Sequence, residues 1–231
     1  MTGAGPAGIA VVTGASRGIG RAIALRLADR WEIVALARSA ADLDALAREI
    51  AARGGRCRAV PADIGDADAV EHALGGVAAD VLVNNAGVGV IRPLVELTVE
   101  DWRRQMRVNL DGMFHVTRAL LPGMIARGHG HIVNIGSLAG RNPFVGGTCY
   151  GATKHAVVGF SESLMLEVRD AGVRVSLIMP GSVDTAFGGG HGDGAWKLAP
   201  AEVADAVRFV LDQTGNGLVS RVEMRPARVK K

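Results

Sequence analysis

Short apolar runs alternate with amphipathic stretches along this chain. The runs at Ile9–Val12, Glu32–Ala37, Cys57–Val60, Val81–Asn84, His131–Ile135, Arg174–Met179 and Leu218–Met224 have the length and make-up of buried strands. Helical spacing covers the stretches Ser39–Arg53, Asp66–Leu74, Val99–Arg127, Tyr150–Ala171 and Pro200–Asp212. In the last, Val203, Val207, Val210 and Leu211 repeat on one face, and Pro200 suits a first turn. Strands separated by helices predict one α/β domain with a seven-stranded, parallel, doubly wound sheet and right-handed crossovers. Such a sheet binds ligands at the carboxyl ends of its strands. Gly14, Arg38, Asp63, Asn85, Ser137 and Pro180 all fall at or just after strand ends, so one cleft can collect them.

The first run leads into Thr13-Gly14-Ala15-Ser16-Arg17-Gly18-Ile19-Gly20 and then into a helical pattern with Ile19, Ile23 and Leu27 on one face. Glycines let the backbone approach a pyrophosphate, and a helix N-terminus offers free N–H groups and the positive end of a dipole. The spacing is T-G-x-x-x-G-x-G. The end of the second run reads Ala35-Leu36-Ala37-Arg38-Ser39, without the acid that would hold a ribose 2′-hydroxyl. Arg38 and Arg17 instead suit a 2′-phosphate, since guanidinium is a strong planar donor to phosphate oxygens.

Tyr150 is the one tyrosine of the 231 residues, with Lys154 four positions later and Ser137 thirteen earlier. Spacing of four places Tyr150 and Lys154 on one helix face. A nearby ammonium is expected to favour the phenolate and lower the tyrosine pKa, which makes the pair an acid/base couple. Ser137, at a strand end, can hydrogen-bond a substrate oxygen.

Composition is that of a globular chain: 48% hydrophobic and 21% charged residues, with a net charge of +3. No apolar run reaches the roughly 18 residues that span a membrane. Residues 1–8 read as a flexible N-terminus without a basic-then-apolar signal pattern. Cys57 and Cys149 lack metal-ligand spacing, and His129 with His131 lacks a third ligand, so no metal is expected and the histidines are read as a surface loop. Two free thiols favour a reducing, cytoplasmic setting. Arg221, Arg225, Arg228, Lys230 and Lys231 make the end basic, but aromatic interleaving is absent, so residues 227–231 read as a frayed tail rather than a nucleic-acid contact.

Together these segments resemble the short-chain dehydrogenase/reductase family from about Ile9 to Pro226, and within it the compact reductases similar to 3-oxoacyl-carrier-protein reductases. The resemblance rests on Thr13 to Gly20, Asp63-Ile64, Asn84-Asn85-Ala86-Gly87, Asn109, Ser137, Tyr150 with Lys154, and Pro180-Gly181 with Thr185. It implies a Rossmann-type fold over residues 9–226 and an NADP(H)-dependent oxidoreductase, with NADP(H) preferred over NAD(H). The implied cofactor contacts are Gly14, Ser16, Arg17, Gly18, Ile19, Gly20, Arg38 and Ser39 in the first half. Asp63 and Ile64 would flank adenine, and Asn85, Ala86 and Gly87 would line the adenosine side, with Asn84 bracing its strand. Pro180, Gly181, Val183 and Thr185 would face the nicotinamide. Lys154 would hold the nicotinamide ribose, Asn109 a water in a proton relay, and Ser137 and Tyr150 the substrate carbonyl oxygen.

Substrate identity is less legible. The glycine-rich stretch Phe187 to Leu198 reads as a short lid within residues 186–199, and Phe144, Val145, Phe187 and Trp196 as a pocket wall or as core. A small carbonyl or alcohol compound is the expected partner. Apolar surplus at Leu110, Met113, Phe114, Phe160, Leu164 and Met165, together with the resemblance, implies a closed homo-oligomer, a tetramer rather than a dimer. The alternatives are a catalytically silent nucleotide-binding or regulatory protein, and an epimerase or dehydratase of the same fold.

Overall fold

The computed structural model describes residues 7–187 and 194–228. Seven strands form one sheet in the order β3-β2-β1-β4-β5-β6-β7, every pair parallel. They are β1 Ile9–Thr13, β2 Glu32–Ala37, β3 Cys57–Pro61, β4 Val81–Asn84, β5 Gly130–Ile135, β6 Val173–Pro180 and β7 Arg221–Met224. The helices between them are α1 Gly18–Leu27, α2 Ala40–Ala52, α3 Ala67–Leu74, α4 Val99–Met106, α5 Gly112–Arg127, α6 Thr148–Val168 and α7 Pro200–Leu211.

Period-2 alternation sorts the strand residues onto two cores. Ala10, Val12, Ile33 and Ala35 face Leu27 of α1, Leu46 of α2 and Val207 of α7. Val11, Val34 and Leu36 face Leu74 of α3, Leu120 of α5 and Leu164 of α6. Both faces of the sheet are therefore covered, which is why the strands read as continuous apolar runs. The order reverses between β1 and β4, and that reversal opens a crevice at the strands' carboxyl ends.

Local chemistry sets the helix starts. Ser39 accepts from Asp42 N at 3.4 Å, and Asp66 accepts from Asp68 N and Ala69 N at 3.1 and 3.0 Å. Both cap their helices and so stand just outside them. Thr98 and Asp101 form a reciprocal capping box that opens α4.

Several expectations need correction. The stretch 99–127 is one rod in the sequence pattern, but Arg107–Asp111 is a π-helical turn between α4 and α5. Met113 and Leu164 are buried in the monomer and add nothing to an apolar surface, whereas Phe114 is 48% exposed. The last strand begins at Arg221, not Leu218, and Arg174 holds the preceding loop by donating to Gln213 O and Gly215 O. His131 is not in a surface loop. It lies on β5, 8% exposed, with Nε2 2.9 Å from Ser176 Oγ. Its neighbour His129 is exposed and meets Asp80 at 2.9 Å. Asn84 braces β4 as expected, donating to Thr117 Oγ1 and Asn134 Oδ1.

Candidate active site

The glycine-rich turn is locked from β4. Thr13 Oγ1 accepts from the backbone N–H of both Asn85 and Ala86 at 3.0 Å, and Asn85 Nδ2 donates to Thr13 O at 2.9 Å. Gly14 and Gly18 have φ of 66° and 56°, in the left-handed region. A Cβ on Gly14 would stand 2.8 Å from Ala86 Cα, and one on Gly20 would run into Gly14 O and the Asn85 side chain. The turn delivers the N-terminus of α1 to the crevice with no side-chain cap and no acid in its first turn. Uncapped N–H groups behind a glycine cradle fit a pyrophosphate.

At the β2 and β3 ends the crevice is charged and wet. Arg17 and Arg38 line it with Ser16 and Ser39. Burial pushes the Asp63 carboxyl up, but hydrogen bonds from Gly65 N and Arg107 outweigh it. With the nearby charges of Arg107 and Arg38 they hold Asp63 below the ordinary carboxylate value. Asp42, in the first turn of α2, also lines this wall, and the sequence reading missed it.

At the β4 to β6 ends the crevice is dry. α6 begins at Thr148, so Tyr150 stands in its first turn and Lys154 one turn on. Lys154 is 6% exposed, and its Nζ donates to Ile135 O at 3.0 Å. Nζ lies 5.8 Å from the centre of the Tyr150 ring. Burial pushes the lysine pKa down to about 8. Burial pushes the Tyr150 hydroxyl up, partly offset by the neighbouring Ser137 side chain. The direction is thus opposite to the expected lowering, and it is set by burial, which disfavours the phenolate. Phe187 covers the tyrosine, ring centres 5.6 Å apart.

Asn109 sits in the π-helical turn, where such turns often mark functional positions. Its Oδ1 accepts from Val88 N at 2.8 Å, and its Nδ2 donates to Val88 O at 2.9 Å and Thr153 Oγ1 at 3.0 Å. Thr153 Oγ1 in turn donates to Tyr150 O. The side chain's two donors are therefore spent on holding the loop after β4 to the start of α6. Gln105, one turn earlier, secures the same loop by accepting from Val90 N at 3.1 Å, a role the sequence did not signal.

Every site residue named from the sequence lines this one crevice of about 1280 Å³ except Gly20 and Asn109, which act from behind it. Phe144, Phe187 and Trp196 are in its wall. Val145 is not, being 94% exposed. The loop expected as a lid is pinned at both ends, with Asp184 N donating to Leu198 O and Leu198 N to Ser182 O. Its glycines at 188–190 and 192 lie outside the described residues. Arg228, within the stretch read as a frayed tail, lines the crevice, as does Arg225 just before it.

A model of the short chain dehydrogenases matches residues 8–194. The chain belongs to the short-chain dehydrogenase family. It is 35% identical over 237 residues to the NADP-dependent 3-hydroxy acid dehydrogenase YdfG of Salmonella typhi, covering 94% of each chain. A solved metagenomic short-chain oxidoreductase in complex with NADP superposes with TM-score 0.85 at 37% identity, over 97% of this chain and 99% of that one. A 3-oxoacyl-[acyl-carrier protein] reductase of Brucella melitensis with bound NAD superposes with TM-score 0.86 at 31% identity, over 96% and 90%. The resemblance read from the motifs therefore holds, and the solved structures similar to this chain include 3-oxoacyl-[acyl-carrier protein] reductases. Among the described residues no group of three or more potential metal ligands assembles, and no helix is long and apolar enough to cross a membrane.

Proposed function

We propose that this protein moves a hydride between NADP(H) and a carbonyl or secondary alcohol compound, with Tyr150 as acid/base. The observation that carries the reading is that Tyr150 and Ser137 line one crevice, with the buried Lys154 one turn behind the tyrosine. The nicotinamide, when bound, supplies or accepts the hydride. In the reducing direction Tyr150 gives its Oη proton to the substrate oxygen, while Ser137 donates a hydrogen bond to the same oxygen. The phenolate left behind is stabilised by the Lys154 ammonium. A raised pKa keeps Tyr150 protonated at neutral pH, so the proton is present to be given, while it makes the phenol a weaker acid.

Pro180, Gly181, Val183 and Thr185 would face the nicotinamide, and Phe144 and Phe187 the body of the substrate. Arg17 and Arg38 would meet the 2′-phosphate, and Asp63, Ile64, Asn85, Ala86 and Gly87 the adenosine. The relatives named for NADP support that preference. Phe114 on α5 and Leu166 on α6, 48% and 57% exposed, are the apolar surface that a closed homo-oligomer would cover, a tetramer in this reading. A cytoplasmic setting fits two free thiols.

The test is consumption of NADPH, followed by reduced-nicotinamide absorbance, across a panel of carbonyl compounds. Tyr150→Phe should keep cofactor binding and lose about 10²–10⁴-fold in turnover. Retention of more than about a tenth of the activity would overturn the role of Tyr150. Tight NADPH binding with no turnover of any carbonyl compound would favour a silent nucleotide-binding protein instead.

A further inference from the structure

The two ends of the crevice carry different charges for different reasons. At the adenosine end, Arg17, Arg38 and the open α1 N-terminus answer the anionic groups of a dinucleotide. A second basic group stands at the catalytic end and has no such assignment. Gly181 N donates to Met224 O at 2.8 Å, which pins the chain leaving β7 against the end of β6. A Cβ on Gly181 would stand 3.2 Å from both Pro226 Cδ and Leu138 Cδ1, so residues 225–228 pass beside the segment that carries Ser137. Arg225 and Arg228 line the same crevice as the apolar Phe144 and Phe187.

The acids at this end are already answered. Glu223 lies between Arg141 and Arg225, at 3.4 and 3.3 Å, and Asp184 lies 4.0 Å from Lys197. Among the described residues Arg228 has no ion-pair partner. A positive surplus at the mouth of a dry, apolar pocket recognises an anion, because guanidinium offers paired donors to carboxylate or phosphate oxygens.

Resting on the hydride-transfer reading above, we propose that Arg228, supported by Arg225, holds an anionic group of the substrate. The substrate class is then an oxo compound bearing a carboxylate or phosphate, with its hydroxy counterpart as product. The carbonyl reaches Ser137 and Tyr150 while the anion stays at the rim, where water remains available to the rest of its solvation shell.

Three matched ketones test this with NADPH: a 3-oxo carboxylate, its neutral methyl ester, and a phosphate ester of a hydroxy ketone of similar length. The native protein should prefer at least one anion over the ester by about tenfold or more in kcat/KM. The better of the two anions identifies the group. R225Q/R228Q should reduce that ratio to near one through KM of the anionic compound, with the dissociation constant of NADPH unchanged, which also reports an intact fold. Arg228→Lys, which keeps the charge, should retain most of the ratio. An unchanged ratio in R225Q/R228Q overturns the proposal. So does weakened NADPH binding without loss of the ratio, since the arginines would then serve the cofactor. Failure of the native protein to turn over any ketone overturns the hydride-transfer reading itself, and this inference with it.

Discussion

A buried base stands near each end of strand β5, His131 on the strand itself and Lys154 reaching it from α6, and the two do opposite things. At the carboxyl end, Lys154 reaches Ile135 O with a single hydrogen bond and faces the crevice. At the amino end, His131 is sealed between strands. Ser176 Oγ gives its proton to Val219 O at 2.7 Å, so His131 Nε2 must be the donor in its 2.9 Å contact with Ser176. That fixes a neutral tautomer. Burial pushes the His131 pKa down to about 4, with the charge of Arg174 adding to it. Burial alone pushes Lys154 to about 8. Both bases resist protonation, yet only one faces a space that a ligand can enter. A perturbed pKa marks a site only where the sheet leaves room for a ligand.

The largest effect follows from removing the base at the open end. Lys154→Met should lower turnover by about 10²–10⁴-fold, the scale of a lost acid/base component. It should also stabilise the fold. The folded pKa of about 8 lies below the ordinary 10.5, so below pH 8 the lysine is charged in both states and burial of that charge opposes folding. As pH rises from about 8 toward 10.5 the folded chain releases its proton first and the penalty fades. Denaturant melts should therefore show the variant more stable by about 1–3 kcal/mol at pH 7, with the gap closing near pH 10. A variant less stable at pH 7 would mean that the Ile135 hydrogen bond outweighs the buried charge, and the contrast with His131 would lose its basis.

How much of this was legible in the sequence depends on which signal each residue uses. The sheet was legible because both its faces are buried and each strand is a plain apolar run. Gly14 and Gly18 were legible because backbone positions that need positive φ are filled by glycine. Tyr150 and Lys154 were legible through helical spacing. Their electrostatics were not, since the spacing of four carries no account of how much water α6 and β5 exclude. His131 was misplaced for the same reason: its partner Ser176 is 45 residues away and enters only through β-sheet register. Arg225 and Arg228 looked like a solvated tail because nothing in their own segment reports the hydrogen bond from Gly181 that turns it into the crevice wall.

The wet end of the crevice should respond less steeply than the dry end, because exposed charges are screened. Arg38→Asp should erase or reverse the preference for NADPH over NADH, a change of about 10- to 100-fold in the ratio of dissociation constants. The exposed guanidinium makes the lower figure the better guide. Fluorescence titration of both reduced cofactors would measure it. Equal dissociation constants in the native protein would remove Arg38 from the cofactor site and leave the adenosine end without its main charge.

The smallest effect belongs to the sealed base, and it is a stability effect alone. The His131 pKa lies at about 4 in the folded chain against 6.5 ordinarily, so between those values the unfolded chain binds the extra proton. Stability from keeping the imidazole neutral is complete above pH 6.5 and is lost as pH falls toward 4. By pH 5 the loss should reach about 2 kcal/mol. Protonation would also give Nδ1 a hydrogen, and among the described residues His131 makes no side-chain hydrogen bond besides the one to Ser176. His131→Gln keeps a donor for Ser176 and cannot titrate. Urea melts at pH 7 and pH 5 should therefore show the native chain losing about 2 kcal/mol more than this variant, with turnover at pH 7 unaffected. Equal losses would mean that the acid sensitivity lies elsewhere. A fall in turnover would mean that the amino end of β5 is coupled to the crevice, and that the two buried bases are not independent.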